Sequence, residues 1–549
     1  MKAAELLVRC LENEKIDSIF GIPGEENIDV MDVLLDSDLR FVLTRHEQAA
    51  AFMADVHGRL TGKAGVCLAT LGPGASNLVT GVADANMDRA PVVALAGQAD
   101  THRMHKESHQ HLDLVEMFRP ISKYSVQIRQ PEIIPEVIRK AFKVAETEKP
   151  GVSFIELPED VAEASVEDAG PLKVQAPMVP YPPPHKISQA AELISSGKKT
   201  VVMAGNGVIR GGASAELVAF AEKLNLPVAT TFMAKGAIPA SHPLSLGTVG
   251  MQAHDYVNCG FDLAEVVICV GYDIVEYQPR FWNPDRDKQI IHLDALPAEV
   301  DEHYLLEAGV LGDLAESLDA LADASKPRDR TPDETARLGR LRGLIEAELD
   351  DHGDDASFPM IPQKIIWDLR RALDATDIVI SDVGAHKLWM ARLYEAESPN
   401  TCIISNGFAS MGIALPGAIA SKLVHPERKA VAVCGDAGFL MNCQELETAL
   451  RLGLDLVVLI WHDDKYGLIE WHQNRKFGRT SHIAFTNPDF VKFAESFGAR
   501  GYRVKSAAEL QPVLKQALSD GTVSVIDCPV DYSENMKLTE KLGNLQLRI

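Results

Sequence analysis

Two aspartates carry the clearest chemistry in this 549-residue chain. Asp436 stands in the turn Gly435-Asp436-Ala437-Gly438, directly after the apolar run 430–434. Asp463 stands in His462-Asp463-Asp464-Lys465, directly after the apolar run 456–461. Two carboxylates leaving the carboxyl ends of neighbouring strands can hold a hard divalent cation such as Mg2+. That ion takes six oxygens at about 2.0–2.1 Å and commonly draws some of them from a phosphate. A glycine-rich turn brings backbone N–H groups close to the same phosphate. Either aspartate alone is equally well explained as a turn former; the pair is what suggests a metal.

A third carboxylate has a different setting. Glu47 opens Glu47-Gln48-Ala49-Ala50-Ala51-Phe52-Met53, a helical pattern that is nearly all small or apolar. A Glu at a helix start is commonly a surface residue favoured by the helix dipole. Here the following residues belong to a buried helix, which suits a carboxylate that shares a proton with a ligand.

The elements that must position these groups follow one grammar: a short β-branched apolar run, a Gly or Asp turn, then a helical pattern. Strands are expected at 18–20, 41–43, 65–69 and 92–96; at 200–204, 227–230, 266–270 and 290–293; and at 378–381, 401–404, 430–434, 456–461 and 523–528. Continuous apolar strands alternating with helices predict parallel sheets covered on both faces. Asn442 reads as an N-cap with Glu445 as its capping-box partner, and Gly453 as the end of that helix. The proline-rich stretch 166–185 and the charged stretch 324–362, which holds a surface helix, read as linkers. The division is therefore three doubly wound α/β domains, at 1–165, 186–324 and 358–549.

Composition excludes several classes. A net charge of −24 leaves no basic footprint for nucleic acid or an anionic membrane. No apolar run approaches the ~20 residues that span a bilayer. The amphipathic N-terminus has no signal-peptide pattern, so a soluble, cytoplasmic protein is expected. Eight cysteines, several in apolar runs and none in a CxxC pair, read as reduced core residues.

The spacing Gly435-Asp436-Ala437, then 24 residues, then His462-Asp463-Asp464 resembles the thiamine diphosphate (ThDP) motif. In that family GDG is followed at this distance by a pair of asparagines. The departures are Ala437 for the second glycine and His462-Asp463 for the Asn pair; Asp463 keeps an oxygen donor. The resemblance implies Mg2+ ligation by Asp436, Asp463 and the main-chain oxygen of Lys465, with Gly435, Ala437 and Gly438 against the cofactor. RHEQAAAFMA is similar to the segment of the catalytic glutamate, which makes Glu47 the carboxylate against N1′ of the aminopyrimidine. GIPGEEN, with Pro23, and LGPGASN, with Asn77, resemble the pyrimidine-side loops. Gln110 in SHQHLD matches a glutamine near the thiazolium. The neighbouring His102, His105, His109 and His111 invite a zinc reading, which the absence of a Cys among them disfavours. Asp382-Val383-Gly384-Ala385-His386 resembles a diphosphate-binding turn, with Ala385 and His386 as contacts. ISNGFASMGIALPGA resembles the segment that bends the cofactor, with Ala409 as a carbonyl acceptor and Met411 as the apolar wedge.

Across essentially the whole chain the resemblance is to the acetolactate synthases. The middle-block segments CVGYDIVEYQPRFWN and HLDALPAEVDEHY are closest to the FAD-independent catabolic branch. GNGVIRGG could also be a dinucleotide loop, but helix–sheet packing explains it equally well. The family implies decarboxylation of pyruvate and condensation with a second pyruvate to 2-acetolactate, with ThDP and Mg2+ and without FAD. It also implies a homodimer at least, commonly a homotetramer. His472 stands where this family selects the acceptor and fits neither branch's usual residue. A related ThDP decarboxylase, or a carboligase with a different acceptor, is the alternative. A cofactor-binding scaffold without catalysis is disfavoured by retention of Glu47 and both metal aspartates.

Overall fold

The β-branched runs do form strands. The computed structural model describes residues 1–167, 169–175, 178–251 and 254–543. The first block holds β1 (Ser18–Gly21), β2 (Arg40–Leu43), β3 (Gly65–Ala69), β4 (Val92–Gln98), β5 (Tyr124–Gln127) and β6 (Val152–Pro158). The middle block holds β7 (Thr200–Ala204), β8 (Val228–Thr230), β9 (Ser245–Thr248), β10 (Val266–Val270), β11 (Gln289–Asp294) and β12 (Leu306–Leu311). The third holds β13 (Ile378–Ser381), β14 (Cys402–Ile404), β15 (Ala430–Gly435), β16 (Val457–His462), β17 (Arg500–Arg503) and β18 (Ser524–Pro529). Each block makes one parallel six-stranded sheet, with the orders β2-β1-β3-β4-β6-β5, β12-β11-β10-β7-β8-β9 and β14-β13-β15-β16-β18-β17. The fold is three doubly wound α/β units, as expected, and the first and third share one strand order.

Five strands escape the sequence pattern. β5, β9, β12 and β17 are edge strands, and edges carry polar or half-exposed residues rather than continuous apolar runs. β17, Arg-Gly-Tyr-Arg, has no buried residue. β6 is interior and fully buried, and its Ser153 and Glu156 interrupt the continuous apolar run that marks the other interior strands.

Two local expectations are corrected. The helix Pro184–Ile194 begins inside the expected first linker, because proline is tolerated at a helix's first position. Pro177 of that linker and residues 544–549 of the expected third domain lie outside the described residues. Asn442 is not an N-cap. It ends the helix Asp436–Asn442, and a second helix starts at Glu445. The Asn442 amide donates to the Gly412 carbonyl at 2.8 Å, and Glu445 points to another block altogether.

The first and third sheets share a core. The helix Glu47–Thr61 packs against the helices Pro73–Met87 and Ala414–Val424, and Phe52, Leu78, Ile380 and Ile419 are fully buried in one cluster. Close approach needs small residues: a Cβ at Gly81 would sit 2.6 Å from that of Ala51. Polar contacts fix the two blocks in register. Asp84 accepts from Ser405 Oγ (2.7 Å) and the Ser410 N–H (3.2 Å), and Asp88 from the Asn406 (2.9 Å) and Gly407 (2.5 Å) N–H groups. Half-buried Arg59 pairs with both of these carboxylates and with Asp55.

Candidate active site

Asp436 and Asp463 leave the carboxyl ends of paired strands, where Gly435 lies opposite Trp461. In open α/β sheets this edge is where ligands bind. Asp436 is buried and accepts from the N–H groups of Ala437 (2.8 Å), Asp464 (2.8 Å) and Asp463 (3.3 Å), and from the Asn487 amide (2.8 Å). The Ala437 N–H is thus committed to Asp436. Burial, and then the charge of Asp436 beside it, pushes the Asp463 carboxyl up to about 8. An all-oxygen pair of crowded carboxylates suits a hard divalent cation, which would relieve that repulsion.

A neighbouring grouping also draws the eye. Donor atoms of Asp436, His462 and Asp464 lie within 4.8 Å of one another. Both ring nitrogens of His462 face carboxylates, however: Nδ1 faces Asp527 at 2.8 Å and Nε2 faces Asp464 at 3.2 Å. Carboxylates on both sides favour the protonated ring, which has no lone pair for a metal. The Lys465 ammonium pairs with Glu470 at 3.1 Å; only its main chain is available to an ion.

The diphosphate-side residues converge on one surface. Asp382 is fully buried and accepts from the Val383 (2.7 Å) and Gly412 (2.8 Å) N–H groups; burial raises its carboxyl to about 7. It thereby ties the Asp382–His386 turn to the segment carrying Ala409 and Met411. Ala409 adopts the left-handed region, φ +59, a strained setting for a residue with a side chain. A Cβ at Gly438 would meet Asp382 Oδ2 at 3.1 Å, and one at Gly435 would meet His386 Cε1 at 3.3 Å. Ala385 opens the following helix, Ala385–Leu393. His386 is buried, burial pushes its imidazole down to about 3, and its Nε2 has no partner among the described residues. A neutral ring with an orphaned nitrogen beside a glycine-lined turn fits a group that brings its own acceptors, such as a diphosphate.

A cavity of ≈570 Å3 is lined by Val383, Gly384, Ala409, Leu468 and Trp471, with exposed His472 at its mouth. His472 is exposed in the single chain, and burial on one side together with Arg475 lowers its imidazole below the ordinary value.

Glu47 is 9% exposed and begins its helix as expected. Asn77 does not reach away from it: the Asn77 amide donates to Glu47 Oε2 at 2.9 Å. The His46 ring caps the helix by accepting from the Gln48 N–H at 3.0 Å. Gln110 is exposed with φ +57, and its carbonyl lies against Gly72, at the start of the helix that carries Asn77. Pro23 is exposed on its loop. None of Glu47, Asn77, Gln110 and Pro23 lines the ≈570 Å3 cavity within the single chain. The four histidines make no shared site. His102 faces Asp100 at 2.8 Å and His111 faces Gln98 at 3.2 Å.

Sequence reasoning missed Asp84, Asp88, Lys387 and the cross-block role of Glu445, and it placed Asp382 in its turn without its bond to Gly412. A signal existed for the first two, an i, i+4 pair of acids on an otherwise apolar helix.

The chain is a ThDP enzyme. It matches three family descriptions in order: "Thiamine pyrophosphate enzyme, N-terminal TPP binding domain" over residues 1–117, the central domain over 187–321, and the C-terminal TPP binding domain over 382–528. It is 38% identical over 553 residues to the acetolactate synthase of Bacillus subtilis, covering 99% of this chain and 96% of that one. It is 35% identical to the catabolic acetolactate synthase of Raoultella terrigena, over 99% of this chain and 97% of the relative. With the Escherichia coli acetolactate synthase isozyme 3 large subunit it shares 33%, over 98% and 96%. The chain belongs to the acetolactate synthase family of ThDP-dependent enzymes.

Proposed function

We propose that this chain is a ThDP- and Mg2+-dependent carboligase that decarboxylates pyruvate and joins the two-carbon fragment to a second pyruvate, giving 2-acetolactate and CO2. The observation that carries it is kinship along 99% of the chain with proteins named acetolactate synthase, in a chain that places Glu47, Asp436 and Asp463 as the resemblance requires. Asp436, Asp463 and the Lys465 carbonyl would hold Mg2+. Ala385, His386, Gly435 and Gly438 would receive the diphosphate, while Ala437 of the same turn holds the Asp436 carboxylate through its N–H. Ala409 and Met411 would meet the rings. When bound, ThDP supplies the electron sink that decarboxylation needs. Glu47 would exchange a proton at N1′, with Asn77 fixing the carboxylate for that task, Pro23 on the same side and Gln110 over the reacting end. The apolar wall of Leu468 and Trp471 would keep water from the two-carbon fragment.

Glu47 does not line the cavity within the single chain, which supports a second copy completing each site: a homodimer at least, with a homotetramer as the family commonly has. No nucleic-acid or membrane partner is proposed; among the described residues no helix is long and apolar enough to cross a membrane. Eight unpaired cysteines support a cytoplasmic setting. The boundaries 1–165, 186–324 and 358–549 remain our working division.

Independence from FAD is supported by the middle block. Its strand order is the one that in dinucleotide-binding sheets puts phosphate at the first glycine-rich turn. Here the buried Glu276 carboxylate accepts from the Asn206 N–H of that turn at 3.1 Å, and Thr231 also donates to it. A Cβ at Gly205 would lie 2.4 Å from the Gly271 carbonyl, so the glycines serve packing. The purified protein should be colourless and active without flavin.

Product analysis by mass after supplying pyruvate, ThDP and Mg2+ tests the reading; acetaldehyde as the main product would favour a decarboxylase. His472 at the cavity mouth is the one observation that favours the alternative, a carboligase with a different acceptor.

A further inference from the structure

We propose that Lys387 is the residue that holds the carboxylate of the acceptor 2-oxoacid. The inference rests on the carboligase reading above.

The chain carries a net charge of −24, yet the described lining of the ≈570 Å3 cavity contains Lys387, Arg475, His254 and His472 and no aspartate or glutamate. His254 is already matched by Asp262 at 2.6 Å. Lys387 is 7% exposed, and its ammonium has no hydrogen-bond or ion-pair partner among the described residues. The opposite charges it feels are those of Asp88 and Asp84. Both are occupied by Arg59, Ser405 and the N–H groups of Asn406, Gly407 and Ser410. A buried lysine without a partner is costly unless something anionic comes to it. Burial lowers its ammonium to about 8, so near neutrality it is still largely charged.

The chemistry decides which carboxylate it serves. The donor's carboxylate must leave as neutral CO2. A fixed cation against it would stabilise the ground state more than the transition state and slow the step. The acceptor's carboxylate keeps its charge from entry to product, so a cation helps throughout. An aldehyde acceptor offers no such group. Lys387 therefore discriminates 2-oxoacids from aldehydes, because a site built to meet a charged group is left unpaired by an analogue lacking it. His472 and Arg475 at the rim then act on the part of the acceptor that varies.

The test uses holoenzyme with ThDP and Mg2+ and the variants Lys387→Gln and Lys387→Arg. Pyruvate is the donor, and pyruvate and acetaldehyde compete as acceptors. In Lys387→Gln the ratio of acetolactate to acetoin should fall at least tenfold, and Lys387→Arg should restore most of it. Oxamate, the amide isostere of pyruvate, is titrated calorimetrically into each holoenzyme as a readout independent of products. Its affinity should drop at least tenfold in Lys387→Gln and recover in Lys387→Arg. An unchanged ratio with unchanged oxamate affinity overturns the proposal. So does a loss of ThDP affinity equal to the loss of oxamate affinity, which would make Lys387 a cofactor contact. A wild-type protein that forms no acetolactate, yet loses oxamate binding in Lys387→Gln, overturns the carboligase reading and leaves Lys387 as the carboxylate holder.

Discussion

Glu445, on a helix that follows β15, accepts a hydrogen bond at 3.1 Å from the backbone N–H of His46, the residue before Glu47. The Arg45 N–H donates to the same oxygen at 3.0 Å, and Thr448 Oγ to the other at 2.6 Å. The block that carries Asp436 thus grips the loop that presents Glu47. In an assembly where Glu47 serves one site and Asp436 another, this contact joins the two.

Replacing Glu445 with Gln should loosen that grip and alter stability in a pH-dependent way. Burial raises the Glu445 carboxyl from 4.5 to about 7 in the folded chain. Below the unfolded value both states hold the proton; between the two values only the folded state does. Its contribution to stability is therefore full below about 4.5 and is lost as pH rises through about 7. Thermal midpoints of wild type and Glu445→Gln from pH 4.5 to 7.5 should converge or cross as that contribution disappears. Parallel curves would exclude the assignment. Turnover should fall about tenfold, the scale of one charge-assisted hydrogen bond.

Glu47→Gln should leave the fold and ThDP binding nearly intact but slow proton exchange at the cofactor by about 10²–10⁴-fold, the usual loss for a general acid–base group. NMR of C2–H exchange in bound ThDP measures it directly, and a wild-type rate would return Glu47 to a structural role. Asn77→Ala removes the 2.9 Å donor to Glu47. It should lower turnover with a smaller effect on ThDP affinity, as expected of a residue that acts through the carboxylate.

How much of this was legible beforehand depends on where information resides. The interior strands and the three-sheet plan follow from continuous β-branched runs. Asp436 and Asp463 follow from position after such runs, and Glu47 from the small residues behind it. The edge strands were hidden because an edge such as β17 need not be apolar. Glu445 was misread for a physical reason: a Glu three residues after an Asn near a helix start has the local signature of a cap. Only the third dimension shows that its partners lie about 400 residues away in sequence. Lys387 left no pattern, since one lysine early in a helix is ordinary until its burial is known.

Asp436→Ala or Asp463→Ala should cost cofactor affinity before anything else, because these carboxylates would hold the divalent ion that the diphosphate needs. Titration of ThDP at fixed Mg2+, followed by tryptophan fluorescence, should require far higher cofactor concentrations in both variants. Asp464→Ala and His462→Gln should shift the requirement much less, since the His462 ring nitrogens are committed to Asp527 and Asp464. Equal effects from all four substitutions would move the ion to the Asp436–His462–Asp464 grouping.

His472 should act on the second half of the reaction. It stands at the mouth of the ≈570 Å3 cavity while Ala409 and Gly384 line its wall, so a change there meets the acceptor rather than the metal. Burial and the charge of Arg475 lower its imidazole below 6.5. It is therefore neutral at pH 7, and its charge appears only on the acid side of that ordinary value. His472→Gln should change the ratio of products from pyruvate, 2-oxobutyrate and an aldehyde offered together. The wild-type ratio should be flat from pH 7 to 8 and drift as pH falls below about 6.5, while the variant's ratio stays flat throughout. Matching ratios and pH profiles in the two proteins would make His472 a surface histidine, with acceptor choice left to Lys387 and the apolar wall.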